Sequence, residues 1–408
     1  MLNVIWLGLL LSALLAALAQ MLMGDGQSAA ALVEALFKSA RLAVEVAIGL
    51  VGMLCLWLGL ARIAEGCGAI PWLAHKLTPL FRCIMPGVPA GDPAIASVTM
   101  NLAANALGLD NAATPLGIKA MHDLQRLNPQ PERATDAQIL FLVLNSSSVT
   151  LFPVSVFMFR AQQGAAQPTD VFVPILLATA ASTLVGFLAV AAMQRLPLWR
   201  WPVLAVMAAL VALLLGATAW VAASGAAVAS QSALLANLSL LALLLAILGA
   251  AAWQRVAAFD LFIEGAKEGF NTALLILPYL VAMLVAVALF RESGLLDWLL
   301  DGVRYLCQWL AVDGRFVDAL PVSLTKVLSG SGARAMMLDV MQTHGVDSFA
   351  GRLAAIMQGS SETTLYVLAV YFGAVGVRRI RHTLGCALLA DAAGMVAARC
   401  SASAVRCW

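Results

Sequence analysis

The sequence predicts an all-α polytopic membrane protein: an inverted repeat of two similar halves, with about nine spanning helices and two re-entrant hairpins. Three observations lead there. Of 408 residues, 62% are hydrophobic and 11% charged, whereas a soluble domain carries about 25% charged residues. Apolar runs close to the ~20 residues a helix needs to cross a bilayer recur from end to end, and the short alternating segments of a membrane β-barrel do not occur. Two short motifs also return, in the same order, about half a chain later.

Spanning helices are expected at 2–23, 41–63, 136–159, 171–194, 202–224, 232–253, 271–291, 347–374 and 380–398. The first lacks a basic flank and reads as a retained helix rather than a cleaved signal. Two regions, 66–130 and 293–345, depart from this pattern: their apolar pieces are short and interrupted by Gly, Pro, Asn, Ser and charge. They are related to each other. GAIPWL at 68–73 matches GLLDWL at 294–299, and NSSSVT at 145–150 matches QGSSET at 358–363. The second match aligns Ser147 with Ser360, Ser148 with Ser361 and Thr150 with Thr363. The first copy is longer between the two anchors, and the Pro/Gly-rich stretches PGVPAGDP (86–93) and NPQPERATD (128–136) accommodate the difference.

Each copy runs in the same order. A spanning helix (41–63; 271–291) leads into an amphipathic piece, which bears Trp72, His75, Lys76 and Arg82 in one copy and Asp297, Trp298 and Arg304 in the other. Trp beside Lys or Arg suits the membrane interface, so an interfacial helix is expected. Next come two half-helices around a polar tip: ASVTMNLAANALG and NAATPLGIKAMHDL, then VDALPVSLTKVLS and GARAMMLDVMQTH. Each half is too short to span, so each pair reads as a re-entrant hairpin, a form tolerated only where protein covers it or it lines a cavity. A long helix with a polar interruption follows, and a last spanning helix closes the copy. Four crossings separate 41–63 from 271–291, so the copies enter from opposite sides, an arrangement that places a site at the midplane between them. Lys and Arg in the loops at 126–133, 195–200, 255–267 and 378–381 assign these to the cytoplasm, with Arg160, Arg291 and Arg352 on the other side.

The polar interruptions carry the functional signal. Gln358, Ser360, Ser361, Glu362 and Thr363 form one run at membrane depth, where a carboxylate costs about 2.5–3.5 kcal/mol on insertion scales. A helix broken at Gly359 would offer backbone carbonyls and amides beside these side chains, a place for a small cation, a proton or a hydrogen-bonding solute. An interhelical polar seam is the plainer alternative. Asn145, Ser146, Ser147 and Ser148 form the same break in the first copy without a carboxylate, Val149 standing where the second copy has Glu362. The first hairpin tip offers Asn105, Asp110, Asn111 and Thr114, with an ordinary helix cap as the alternative for Asp110 and Asn111. The second offers Ser329 and Ser331 in SGSGAR, preceded by Lys326, for which Glu362 is the expected ion partner by depth. Asp391 is a lone acid in the last helix. The seven cysteines show no metal or redox spacing; Cys55, Cys67, Cys83, Cys307 and Cys386 read as small buried thiols, and a Cys400–Cys407 pair would require an oxidising compartment. No metal site, HExxH, GxSxG or other enzyme signature is found, and a net charge of +2 argues against a nucleic-acid partner.

NLAANALGLDNAATPLGIKAM (101–121) and NSSSVTLFPVSV (145–156) resemble spore maturation protein A. SGSGARAMMLDVMQTHGVDSFAGRLAAIMQGSSETTLYVLAVYFGAVG (329–376) resembles spore maturation protein B. The chain is therefore similar to a fusion of the two: 1–195 as one Gate half, 196–254 as connecting transmembrane helices and 255–408 as the second Gate half. The resemblance implies the "nucleoside recognition" or Gate domain, shared with concentrative nucleoside transporters. The tips GLDNA (108–112) and SGSGA (329–333) differ from the Gln-Thr-Glu triplet that those transporters place at the first tip.

These readings combine into a multi-pass protein of the bacterial cytoplasmic (inner) membrane. It is expected to be a secondary transporter or permease for a small polar solute, nucleoside-like or a small carboxylate metabolite. No cofactor is expected, and H⁺ or Na⁺ is the expected coupling ion. Its partners would be the solute and the lipid bilayer, and assembly as a homo-oligomer is compatible with the sequence. The alternative is a non-transporting membrane scaffold or regulator of cell-envelope or spore maturation.

Overall fold

The computed structural model describes residues 2–23, 27–89, 91–107, 110–224 and 227–404. Its regular elements are helices, and one isolated bridge joins Arg133 to Arg379. Helix α1 (Leu2–Leu22) is followed by α2 (Ser28–Gly66), which packs along nearly its whole length against α11 (Ala258–Glu292). Both run longer than hydropathy indicates. Helix α2 starts well before 41, and 258–267, expected as a cytoplasmic loop, is helical. Hydropathy reports only the lipid-facing part, whereas a helix continues while its backbone bonds and flanking charges are satisfied. The 39 residues of α2 extend roughly 58 Å at 1.5 Å per residue, about twice the hydrocarbon core. Arg62 at its end pairs with Glu65 at 3.1 Å and with Glu264 of α11 at 2.5 Å.

Two amphipathic helices, α3 (Ala69–Ile84) and α12 (Leu295–Trp309), follow these long ones. Each starts after a left-handed glycine, Gly68 or Gly294, both at φ 75°. That conformation explains the glycine heading both matched motifs, since a side chain there would be strained. Each leaves a Trp, Trp72 or Trp298, standing out from the fold.

The hairpins are α4 (Pro93–Ala106) with α5 (Asp110–Arg126), and α13 (Leu320–Leu328) with α14 (Gly330–His344), the latter entered through a 3-10 turn at Val317–Ala319. Asp92 caps α4 and Ser329 caps α14, each through its side-chain oxygen. The interrupted helices are α6 (Asp136–Ser146) with α7 (Val154–Gln162), and α15 (Phe349–Gly359) with α16 (Thr364–Ala374). Helices α8 (Phe172–Gln194), α9 (Trp201–Ser224), α10 (Val228–Gln254) and α17 (Thr383–Ala404) complete the chain. Among the described residues six helices, α2, α8, α9, α10, α11 and α17, are long and apolar enough to cross a membrane. This is a multi-pass membrane protein.

The two interrupted helices lie antiparallel, tied at both ends. At one end the loop after α7 meets the start of α15. Arg160 donates to Asp170 (2.9 Å), Asp347 (3.1 Å) and the Val346 carbonyl (3.0 Å), and Arg352 donates to Asp170 at 2.7 Å. At the other end the loop after α16 meets the start of α6. The Arg378 and Arg379 amides donate to the Glu132 carbonyl at 2.9 Å, and Arg381 pairs with Asp136 at 2.6 Å. The breaks therefore meet at mid-length. The closing helices α8 and α17 cross beside them reciprocally: Gly186 lies against Ser147 and Ala390, and Gly394 lies against Ser360 and Ser182.

Candidate functional site

The centre of the site is a backbone hydrogen bond between the two breaks: the Glu362 amide donates to the Ser146 carbonyl at 2.8 Å. Each break opens because its helix stops and restarts. Helix α6 ends at Ser146, and Pro153, which lacks an amide hydrogen, stands before α7. Helix α15 ends at Gly359, and Thr363 is extended before α16.

The hairpin tips close onto this centre. Gly330 comes so near the second break that a Cβ there would stand 2.7 Å from Thr363 Oγ1. On the other side, Asn145 Nδ2 donates to Asn101 Oδ1 at 2.8 Å, and Asn101 Nδ2 donates to the Ala113 carbonyl at 2.7 Å. Asn101 thus ties both arms of the first hairpin to the first break. The Tyr371 side chain stacks on Phe141 (centroids 6.1 Å apart) and brings its hydroxyl among Asn101, Thr114 and Gly117.

These elements line part of an open cavity of ≈ 1570 Å³. Asn105, Thr114, Asn145, Lys326, Ser329, Ser331, Gln358, Ser361, Glu362 and Thr363 all line it. Among its buried polar atoms, Asn105 Nδ2 and Gln358 Oε1 have no hydrogen-bond partner. Buried polar groups are almost always paired, so one unused donor and one unused acceptor beside a cavity mark a place where a polar ligand gains bonds at no loss to the fold.

The other expected residues are placed differently. Ser146, Ser147 and Ser360 turn their hydroxyls back onto their own helices, to the Val143 carbonyl (3.1 and 2.8 Å) and the Met357 carbonyl (2.8 Å). Ser147 and Ser360 are sealed behind the break against the closing helices. Ser148 is half-buried in the first break. The side chains of Asp110 and Asn111, the tip residues 108–109 and Cys407 lie outside the described residues.

Lys326 and Glu362, the expected ion partners, both line the cavity. Glu362 is anchored through its backbone to the first break. Lys326 stands in the last turn of α13, which packs against both α16 and α17.

Sequence reasoning passed over Asn101, Tyr371 and Arg334, which also lines the cavity. Asn101 carried a signal: it stands one helical turn from Asn105, on the same face of α4. Tyr371 carried none, being one aromatic in an apolar run.

The Gate family model, described as nucleoside recognition, matches residues 47–163 and 273–378. The chain belongs to the Gate family. Its two matched stretches are those that contain the hairpins and interrupted helices. Spore maturation protein B of Bacillus subtilis (strain 168) is 44% identical over 144 residues, 35% of this Gate-family chain and 79% of that protein. Spore maturation protein A of the same organism is 37% identical over 179 residues, 44% of this chain and 88% of that protein. The two matches cover different parts of the chain, consistent with a fusion. No solved structure matches it.

Proposed function

We propose that this Gate-family protein is a secondary permease for a small polar solute, ion-coupled, with its site between the two interrupted helices. The observation that carries this reading is the Glu362–Ser146 backbone bond beside the unpartnered Asn105 amide and Gln358 carbonyl. A helix seam that only packs would satisfy these atoms internally; here they line a cavity large enough for a metabolite. The antiparallel ties support opposed insertion of the two halves in the cytoplasmic membrane, the geometry in which one half rocks against the other around a midplane site. Hydroxyls, amides, Lys326 and the Ser329-capped start of α14 suit a solute with hydroxyls or a carboxylate. The family description also makes nucleosides the first compounds to try.

The test is thermal stabilisation of the purified full chain by nucleosides and small carboxylates, with and without Na⁺ and across pH. A true solute raises the melting temperature of the wild type and loses that effect in Asn105→Leu and Gln358→Leu, whose apo melting temperatures stay close to wild type. Equal stabilisation of the wild type and both variants would place the solute elsewhere. Failure of every solute class would favour the scaffold reading.

A further inference from the structure

Asp391 is the buried acid the cavity description leaves unused. It lies on α17 beside the second break and is 2% exposed. Its Oδ2 accepts a hydrogen bond from Thr364 Oγ1 at 2.6 Å, and Thr364 opens α16 directly after the break. Its Oδ1 is buried with no hydrogen-bond partner. Ser361, a residue of the break that lines the cavity, is the second hydroxyl beside the carboxyl. The carboxyl is therefore one hydroxyl away from the cavity while shielded from it.

The surrounding charges are few. Helices α8 and α9, packed against α17, carry no ionisable side chain; α6 has only Asp136 and α15 only Arg352, each near its start; α16 has Tyr366 and Tyr371. On α17 itself stand Cys386, Arg399 and Cys400, and Glu362 lines the cavity two residues before Thr364. Lys326 stands on α13, which also packs against α17.

We infer that Asp391 is a proton-exchanging site, loaded from the cavity through Ser361. In the loading step Ser361 accepts a proton from hydronium in the cavity and passes its own to Oδ1. A water molecule remains in the cavity, and the buried site becomes more positive by one charge. Because Thr364 holds the other carboxyl oxygen, the charge state of Asp391 is joined mechanically to the start of α16, and so to the width of the break. As the coupling group of the proposed permease this rests on the transport reading; as a proton site it does not.

Infrared difference spectra of the full chain between acid and alkaline buffer test it, read in the carbonyl stretch of protonated carboxyls. A band from a dry carboxyl is expected in the wild type, lost in Asp391→Asn and retained in Glu362→Gln. Lys326→Met should move the midpoint of this band up in pH, because a cation that favours the carboxylate is gone. Should Asp391→Asn fail to fold, Thr364→Val decides: losing a hydroxyl that bonds the charged form moves the midpoint the same way. A band that survives Asp391→Asn, or a midpoint unmoved by both Lys326→Met and Thr364→Val, overturns the inference. Solute stabilisation measured in the same samples separates the two readings. An Asp391 band without any stabilising solute supports the proton site and counts against the permease.

Discussion

Arg160 is the largest fully buried side chain of the protein. It is held by five hydrogen bonds, to the carbonyls of Gln167, Pro168 and Val346 and the carboxylates of Asp170 and Asp347. Removing one partner of a buried ion pair costs about 3–5 kcal/mol, mainly by leaving the other charge uncompensated. Arg160→Leu should therefore strongly lower the melting temperature. Arg160→Lys should recover only part, since an ammonium cannot reproduce a planar five-donor fork. Full stability of Arg160→Lys would show that charge, not geometry, holds this corner. At the opposite tie, burial and the adjacent Arg381 guanidinium hold the His382 imidazole below its ordinary range, with Asp136 opposing them. The sign follows from proton uptake: the unfolded chain binds this proton more readily, so stability is present at higher pH and declines as pH falls through the unfolded value of about 6.5. His382→Gln should flatten that acid-side decline in thermal melts between about pH 8 and about pH 5.

The crossing of α2 and α11 depends on GAKEG at 265–269. A Cβ at Gly265 would collide with the Leu58 carbonyl oxygen, and one at Gly269 would stand 2.6 Å from the Leu54 carbonyl oxygen. Small residues four apart let membrane helices approach closely where no hydrophobic force draws them together. The obstacle here is backbone, which cannot swing aside as a side chain would. Gly265→Ala and Gly269→Ala should each destabilise by about 1–3 kcal/mol. Gly216→Ala and Gly249→Ala, where a Cβ meets nothing within 4 Å, should leave stability unchanged or slightly raised. Equal effects at all four positions would mean that propensity, not contact, dominates.

Across the whole chain, two antiparallel interrupted helices tied at both ends define where the halves meet. If the halves insert oppositely, single cysteines at Asn128 and His344, in a chain otherwise lacking exposed thiols, should react with impermeant maleimide from opposite faces of a vesicle. Reaction of both from one face would remove the opposed-insertion reading and the rocking mechanism with it. The order of elements was legible in advance: amphipathic helix, hairpin, interrupted helix and closing helix follow one another where hydropathy and the Gly, Pro and Ser interruptions put them. Helix ends were not, because α2 and α11 continue past the apolar stretch on paired charges.

Hydropathy and periodicity are local properties, and they alone established the membrane class, the two related halves and the two polar breaks around 145–150 and 358–363. Only the fold decided which polar groups share a cavity. It turned Ser147 and Ser360 inward against Gly186 and Gly394, and it brought Asn101 and Tyr371 to the first hairpin and break. The reason is geometric. Position along a helix gives depth and face, but a partner is chosen by lateral distance, and that is set by how closely helices from opposite ends of the chain can cross.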